Sequence, residues 1–366
     1  MKSHTMPSLL QLVGILTWCL LLAILLGLII LHFLGFINGW QFPVKGVVAF
    51  LGGGGIACFL SSWLSGRITK KWLIRLSLFL IFMINLLAFL SAYSLTHYQT
   101  EESWGLGIPR PMNTRSPADI GLEFFTQNIP LSSNQWLEIW QIPAAFSHGT
   151  VILFPGQGVA KGKQLLAPAQ VFHTLNYDTV LVDYQGVGGS SGNQTTIGAK
   201  EAKDVAATLN YVQKLHPDQP IILYGISMGS AAILRAIAQE SIKPDAIIIE
   251  MPFVRFLEAV KIRLKTAKIP PYPLAELLVF WGSLQHRFNG FAYNPVNYAQ
   301  QVNCPTLLMQ GEKDKWVTVE EIQELFKNLN GSKQLVILPN TGHELLVSLD
   351  RETWYQTVDQ FLLKLN

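Results

Sequence analysis

Three apolar runs, at residues 9–37, 44–64 and 72–95, fill most of the first hundred residues of this sequence. Each is at least as long as the ~20 residues a helix needs to cross ~30 Å of hydrocarbon. None carries the polar face of a water-soluble helix, so they predict an all-α membrane region over residues 1–98 with about three transmembrane helices. The first run is too long for a signal-peptide core, and no clear small-x-small cleavage site parts it from the second. The second contains four consecutive glycines, Gly52 to Gly55. That stretch is costly in a helix in water and tolerated where helices pack closely in lipid, and it leaves a re-entrant middle segment as the rival reading.

Charge gives the region a direction. Residues 1–100 hold six basic side chains (Lys2, Lys45, Arg67, Lys70, Lys71, Arg75) and no acidic one, leaving 21 basic against 24 acidic residues from 101 onward. The small basic excess of the chain therefore belongs to its apolar front and gives no ground for a nucleic-acid partner. Four basic residues stand in the connection around 66–75 and one in that around 38–45, and Glu101 and Glu102 follow the third run. By the short-loop basic rule the Lys70–Lys71 loop is cytoplasmic. Everything after about residue 96 is then expected outside, on the periplasmic face of a bacterial inner membrane. Cys19 and Cys58 lie in apolar runs and Cys304 stands alone, so the soluble part has no internal disulfide, which suits either side of such a membrane.

A Pro-, Asn- and Ser-containing linker over residues 99–133 is expected to lead into one domain spanning 134–366. Short apolar strands are predicted at 137–142, 150–154, 179–184, 221–224, 246–250, 306–310 and 334–338. Helices are predicted near 163–175, 198–215, 228–239, 319–329 and 354–365. Near-continuous apolar strands separated by helices predict an α/β domain with a mostly parallel sheet covered on both faces. Ligands of such sheets bind at the carboxyl ends of the strands. Residues 251–303 break the rhythm, and a connection of that length predicts a small helical cap insertion.

The strongest chemical signal is Gly225-Ile226-Ser227-Met228-Gly229, directly after one strand and directly before an Ala-rich helix. A serine on so sharp a turn projects its hydroxyl above the sheet, and small residues two positions either side permit the tight backbone. The same turn aims the Met228 amide at the place where negative charge develops on an attacked carbonyl.

With that turn in place, the sequence resembles the α/β-hydrolase superfamily over most of residues 135–366. The superfamily orders its triad as Ser, then Asp or Glu, then His. Gly311-Glu312-Lys313-Asp314-Lys315-Trp316-Val317 looks like its acid loop, which selects Asp314. Pro339-Asn340-Thr341-Gly342-His343-Glu344 looks like its histidine loop. The residues agree: a serine hydroxyl needs an imidazole to take its proton, and the imidazole needs a carboxylate to hold its tautomer. Of the eight histidines only His343 sits in a Gly-bearing loop at a strand's carboxyl end. Glu312 reads as a solvated loop charge, and Glu250, ending a strand, as a structural hydrogen-bonding group holding the start of the cap. Phe154-Pro155-Gly156-Gln157-Gly158 resembles the His-Gly segment that supplies the other oxyanion donor, with Pro155 where histidine is common and the Gln157 amide as the expected donor. Asp183 to Ser190 resembles the D-x-R-G-x-G-x-S loop, with Gln185 in the arginine position, and reads as structural. Neither a metal nor a cofactor is implied: the histidines and carboxylates lack close ligand spacing, and the glycines do not open a dinucleotide-binding helix.

The short cap and the Glu250-Met251-Pro252-Phe253 strand exit look like the membrane-tethered α/β-hydrolase-domain proteins. That resemblance implies a membrane-anchored serine hydrolase of carboxylic esters or thioesters, with membrane lipids such as lysophospholipid or monoacylglycerol, or another acylated small molecule, as substrate. Acylated protein is a further substrate class it implies. The alternatives are a serine peptidase or amidase, since the triad does not tell an amide from an ester, and a non-catalytic membrane scaffold that keeps the fold.

Overall fold

The computed structural model describes residues 70–99 and 107–365; the runs expected to span at 9–37 and 44–64, with their glycine stretch and two cysteines, lie outside them. Eight strands form one sheet: β1 (Phe125–Ser132), β2 (Gln135–Ile142), β3 (Thr150–Phe154), β4 (Asp178–Val182), β5 (Ile221–Ile226), β6 (Ala246–Glu250), β7 (Thr306–Gly311) and β8 (Lys333–Leu338). Their order is β1-β2-β4-β3-β5-β6-β7-β8. The β1–β2 and β2–β4 pairs are antiparallel, and every neighbouring pair from β4 to β8 is parallel. The longer helices among the described residues are α1 (Lys70–Thr96), α2 (Leu166–Thr174), α3 (Glu201–Leu215), α4 (Met228–Gln239), α5 (Phe256–Thr266), α6 (Leu274–His286), α7 (Val319–Asn328) and α8 (Arg351–Leu362).

The central strands β3, β5, β6 and β7 are buried at every position, which is why they read as continuous Val, Ile and Leu runs rather than as alternation. Beneath them Phe172 of α2, Tyr224 of β5 and Trp354 of α8 pack edge to face, with ring centroids 5.5–6.0 Å apart. Such pairs contribute ~0.5–1.5 kcal/mol each beyond the apolar area they bury. The chain turns from β3 to β4 on one side and to β5 on the other, so the crevice at the carboxyl ends of β3 and β5 is the switch point of the sheet.

Two expectations change. Residues 125–132, placed in the linker, form β1, an edge strand paired along its length with β2. Five of its eight positions are exposed, and it contains Asn128 and Pro130, so its composition is that of a loop; pairing with β2 makes it a strand. The insertion expected at 251–303 also divides. The described residues form two compact units, one of residues 70–92 with 268–291 and the other of the remainder.

Within the first unit, α6 lies along α1. Trp281 Nε1 donates to Asn85 Oδ1 at 3.2 Å, Gln285 Nε2 donates to the Phe89 carbonyl at 2.9 Å, and the Phe89 and Trp281 rings meet edge to face. Ala88 and Leu277 are fully buried in the same contact. Residues 76–96 of α1 are the one stretch among the described residues long and apolar enough to cross a membrane. All of α6 was thus expected to belong with the catalytic domain on sequence grounds and instead shares the hydrophobic packing of the apolar front.

Candidate active site

β5 ends at Ile226, and the chain enters α4 through Ser227 with φ 53° and ψ −109°, a left-handed backbone rare for a residue with a side chain. The turn is held from β6, because the Ser227 amide donates to the Glu250 carbonyl at 2.7 Å. Ser230 Oγ, one turn on, lies 2.7 and 2.8 Å from the Gly225 and Glu250 carbonyls, between which its single proton is shared, and accepts from the Glu250 amide at 3.0 Å. Its two glycines are steric necessities. A Cβ on Gly225 would sit 2.7 Å from the Gly229 carbonyl carbon, and one on Gly229 would sit 2.5 Å from the Phe154 carbonyl oxygen.

The elements after β7 and β8 bring the other two predicted side chains to this serine. His343 Nε2 lies 2.9 Å from Ser227 Oγ, and His343 Nδ1 lies 2.6 Å from Asp314 Oδ2. Asp314 is 8% exposed and fully occupied as an acceptor. Oδ1 takes the Trp316 and Val317 amides at 2.8 and 3.1 Å, while Oδ2 also takes Gln310 Nε2 at 3.1 Å. Four donors fix a carboxylate that a single imidazole would leave free to turn. The acid and histidine loops are also stitched together: Lys313 N donates to the Thr341 carbonyl at 2.7 Å, Lys313 Nζ to Asn340 Oδ1 at 2.6 Å, and Asn340 N to Glu312 Oε2 at 2.9 Å. Glu312 is therefore a loop tie. The Trp316 ring lies 4.8 Å from the imidazole, centroid to centroid.

Of the expected oxyanion donors, Met228 opens α4, where a helix leaves its first amides without intrahelical acceptors. Gln157 lies in the turn after β3, held by Gly156 N donating to Gln164 Oε1 at 2.6 Å. Neither the Gln157 nor the Met228 amide donates to an acceptor among the described residues.

Glu250 does not hold the start of the cap. It is fully buried, and its Oε1 accepts from Tyr224 Oη at 2.8 Å and Trp354 Nε1 at 2.6 Å. It ties β6 to β5 and α8, and burial raises its pKa to about 7. The Asp183–Ser190 loop is structural as read. Asp183, fully buried, accepts from Asn113 Nδ2 at 2.6 Å and from the Lys161 amide at 2.8 Å, and pairs with Lys161 Nζ. Gln185, in the family's arginine position, donates to Asp204 from both its amide and its side chain.

Three positioning residues escaped the sequence reading. Gln310 is the one polar side chain in the interior of β7, and a buried glutamine in an apolar strand was a usable signal. Lys161, fully buried between Asp183, Glu138 and the Trp140 ring, and Gln164 follow a glycine-rich turn with nothing in their spacing to mark them.

Residues 146–287 match the family described as serine aminopeptidase S33, and residues 284–364 match that of the PhoPQ-activated pathogenicity-related protein. The uncharacterized protein YqkD of Bacillus subtilis is 26% identical over 199 residues, covering 54% of this chain and 65% of that protein. Lysophosphatidylserine lipase ABHD12 of Macaca fascicularis is 22% identical over 200 residues, covering 52% of this chain and 48% of that protein. The chain thus spans between about half and two thirds of the length of these relatives. The esterase Pf2001 of Pyrococcus furiosus superposes with a TM-score of 0.59 at 23% identity, covering 70% of this chain and 96% of that one. Est1E of Butyrivibrio proteoclasticus gives 0.52 at 18%, covering 66% and 98%. Sheet order, serine turn and these matches give this chain the α/β-hydrolase fold and a likeness to serine hydrolases that share it.

Proposed function

We propose that this chain is a membrane-associated serine hydrolase that cleaves carboxylic esters or thioesters by two-step acyl transfer, with lysophospholipids or monoacylglycerols as substrates. The observation that carries the proposal is the continuous line Ser227 Oγ–His343 Nε2, His343 Nδ1–Asp314 Oδ2 at 2.9 and 2.6 Å, on a serine held in strained backbone. His343 takes the hydroxyl proton as Ser227 attacks the carbonyl, and Asp314 orients the imidazole and stabilises its charged form. The Gln157 and Met228 amides receive the oxyanion. The alcohol leaves with the proton from His343, and water activated by the same imidazole releases the acid.

An apolar helix at residues 76–96 and the lysophosphatidylserine lipases among the relatives support the lipid reading. A domain held at a bilayer meets lipids by lateral diffusion. We further propose three spans, with the catalytic domain on the outer face of a bacterial inner membrane. A carboxyl-terminal alkaline phosphatase fusion is then active and the corresponding green fluorescent protein fusion dark; the reverse pattern overturns that orientation.

The test of function is release profiling of the purified full chain across lysophospholipids, monoacylglycerols, short-chain esters and amino-terminal peptides, with Ser227→Ala as control. Acyl release from lipids, lost in the variant, is the expected result. Cleavage confined to peptides would select the peptidase reading that the S33 description suggests. Absence of turnover in folded protein would select the scaffold.

A further inference from the structure

Among the described residues, one cation beside the site makes no ion pair. Arg263, on α5, is half-buried with its guanidinium 5.2 Å from the centroid of the Trp316 ring, whose own centroid is 4.8 Å from that of His343. A guanidinium has five N–H donors. Among the described residues Arg263 spends one, from Nη1 to the Ala259 carbonyl one turn earlier at 3.1 Å, and it has no ion pair. The neighbouring carboxylates are engaged elsewhere. Both oxygens of Asp314 are occupied by the imidazole, two backbone amides and Gln310. Glu258 pairs with Lys261, Glu324 with Arg255, and Glu312 accepts the Asn340 amide. Burial opposes the charge of Arg263, and only Asp314 offsets that opposition. On the acid loop, Lys315 adds an exposed positive charge one residue from Trp316.

None of the Arg263 nitrogens is a buried atom left without a partner, so its unused donors face solvent, and a partly desolvated guanidinium with free donors binds an anion through charge-assisted hydrogen bonds. Trp316 is 40% exposed, so the route from His343 to Arg263 runs over an open aromatic surface. The acyl chain of a lipid ester is uncharged, so an anion reaching this position belongs to the alcohol part of the substrate. Resting on the ester-hydrolase reading above, we propose that Arg263 is the specificity-determining residue for substrates whose alcohol portion carries a phosphate or carboxylate, which it binds beside Trp316.

The experiment uses the full chain in neutral detergent micelles, so that surface charge does not enter. The kcat/KM is measured for 1-oleoyl lysophosphatidylserine, 1-oleoyl lysophosphatidylglycerol and 1-oleoyl monoacylglycerol with wild type, Arg263→Gln and Arg263→Lys. A charge-assisted contact of this kind lowers the anionic-to-neutral ratio by about 10- to 100-fold in Arg263→Gln, with partial recovery in Arg263→Lys. If phosphate is the group read, both anionic lipids lose equally; if carboxylate, lysophosphatidylserine alone does. A ratio within twofold of wild type, or an equal fall on all three lipids as expected for a packing role, overturns the assignment and leaves the lipid-hydrolase reading standing. Wild-type protein that reacts with a fluorophosphonate at Ser227 yet hydrolyses none of the three lipids overturns both.

Discussion

Replacing Asp314 by Asn tests the site through a single atom. The carboxylate serves donors on both oxygens: two rigid backbone amides, Trp316 and Val317, on Oδ1, and His343 Nδ1 with Gln310 Nε2 on Oδ2. An amide keeps one acceptor and gains one donor group. With its oxygen toward His343, its NH2 would face two backbone N–H groups that cannot turn away, forfeiting two hydrogen bonds. With its nitrogen toward His343, both opposing groups can adapt, the imidazole by changing tautomer and Gln310 by rotating at the loss of its one bond to the Val317 carbonyl. The second arrangement costs less, and it places the proton on Nε2, so that the ring offers Ser227 Oγ a donor where an acceptor is needed. The corresponding change in an established triad lowers kcat by about 10⁴-fold, or ~5.5 kcal/mol of transition-state stabilisation. The assay is hydrolysis of a short chromogenic ester by purified Asp314→Asn, with thermal unfolding to confirm that the chain is folded. A fall in kcat of less than about tenfold would refute the reasoning, because it would mean that the tautomer of His343 does not depend on Asp314.

Glu250→Gln tests the buried carboxyl. Its folded pKa of about 7 lies above the 4.5 of an ordinary glutamate, so its contribution to stability is fully present where the group is protonated in both states, below about pH 4.5, and is lost as pH rises through 4.5 to about 7. The loss is on the order of 3 kcal/mol. Asp204, whose pKa burial also raises to about 7, keeps part of that slope in the variant, so urea midpoints at pH 5 and pH 8 should differ less in Glu250→Gln than in wild type. Lys161→Met leaves buried Asp183 and half-buried Glu138 unpaired, and should cost about 3–5 kcal/mol in urea unfolding. Gly229→Ala drives a Cβ to 2.5 Å from the Phe154 carbonyl; displacement of β3 and the turn bearing Gln157 should lower kcat at least about tenfold and destabilise by ~1–3 kcal/mol, read by ester hydrolysis and thermal melting.

The sheet and the candidate site residues were legible because their signals are local. A fully buried strand reads as an unbroken apolar run, and β3 and β6 have the predicted bounds. Ser227 and His343 stand on turns whose glycines and flanking elements announce them. What the sequence concealed depends on partners distant in the chain. β1 is a strand because β2 lies beside it, and its exposed Phe125, Thr126 and Asn128 carry no alternation. The role of Glu250 required Trp354, 104 residues away. Arg263 is one of several basic residues on α5, with nothing in the sequence to single it out, and only the fold sets it beside Trp316. The split of the 251–303 insertion turned on Asn85, a single polar residue in an apolar run, whose hydrogen bond to Trp281 no periodicity could reveal.

The central claim is that Ser227 is a nucleophile activated by His343, and it is tested most directly by mass spectrometry of the folded full-length protein after treatment with a fluorophosphonate. A single phosphonyl adduct on the peptide containing Ser227, absent from Ser227→Ala and slowed about 10³-fold or more in His343→Ala, is the predicted result. An unmodified Ser227 in folded wild-type protein, or an adduct formed at the same rate without His343, would contradict it.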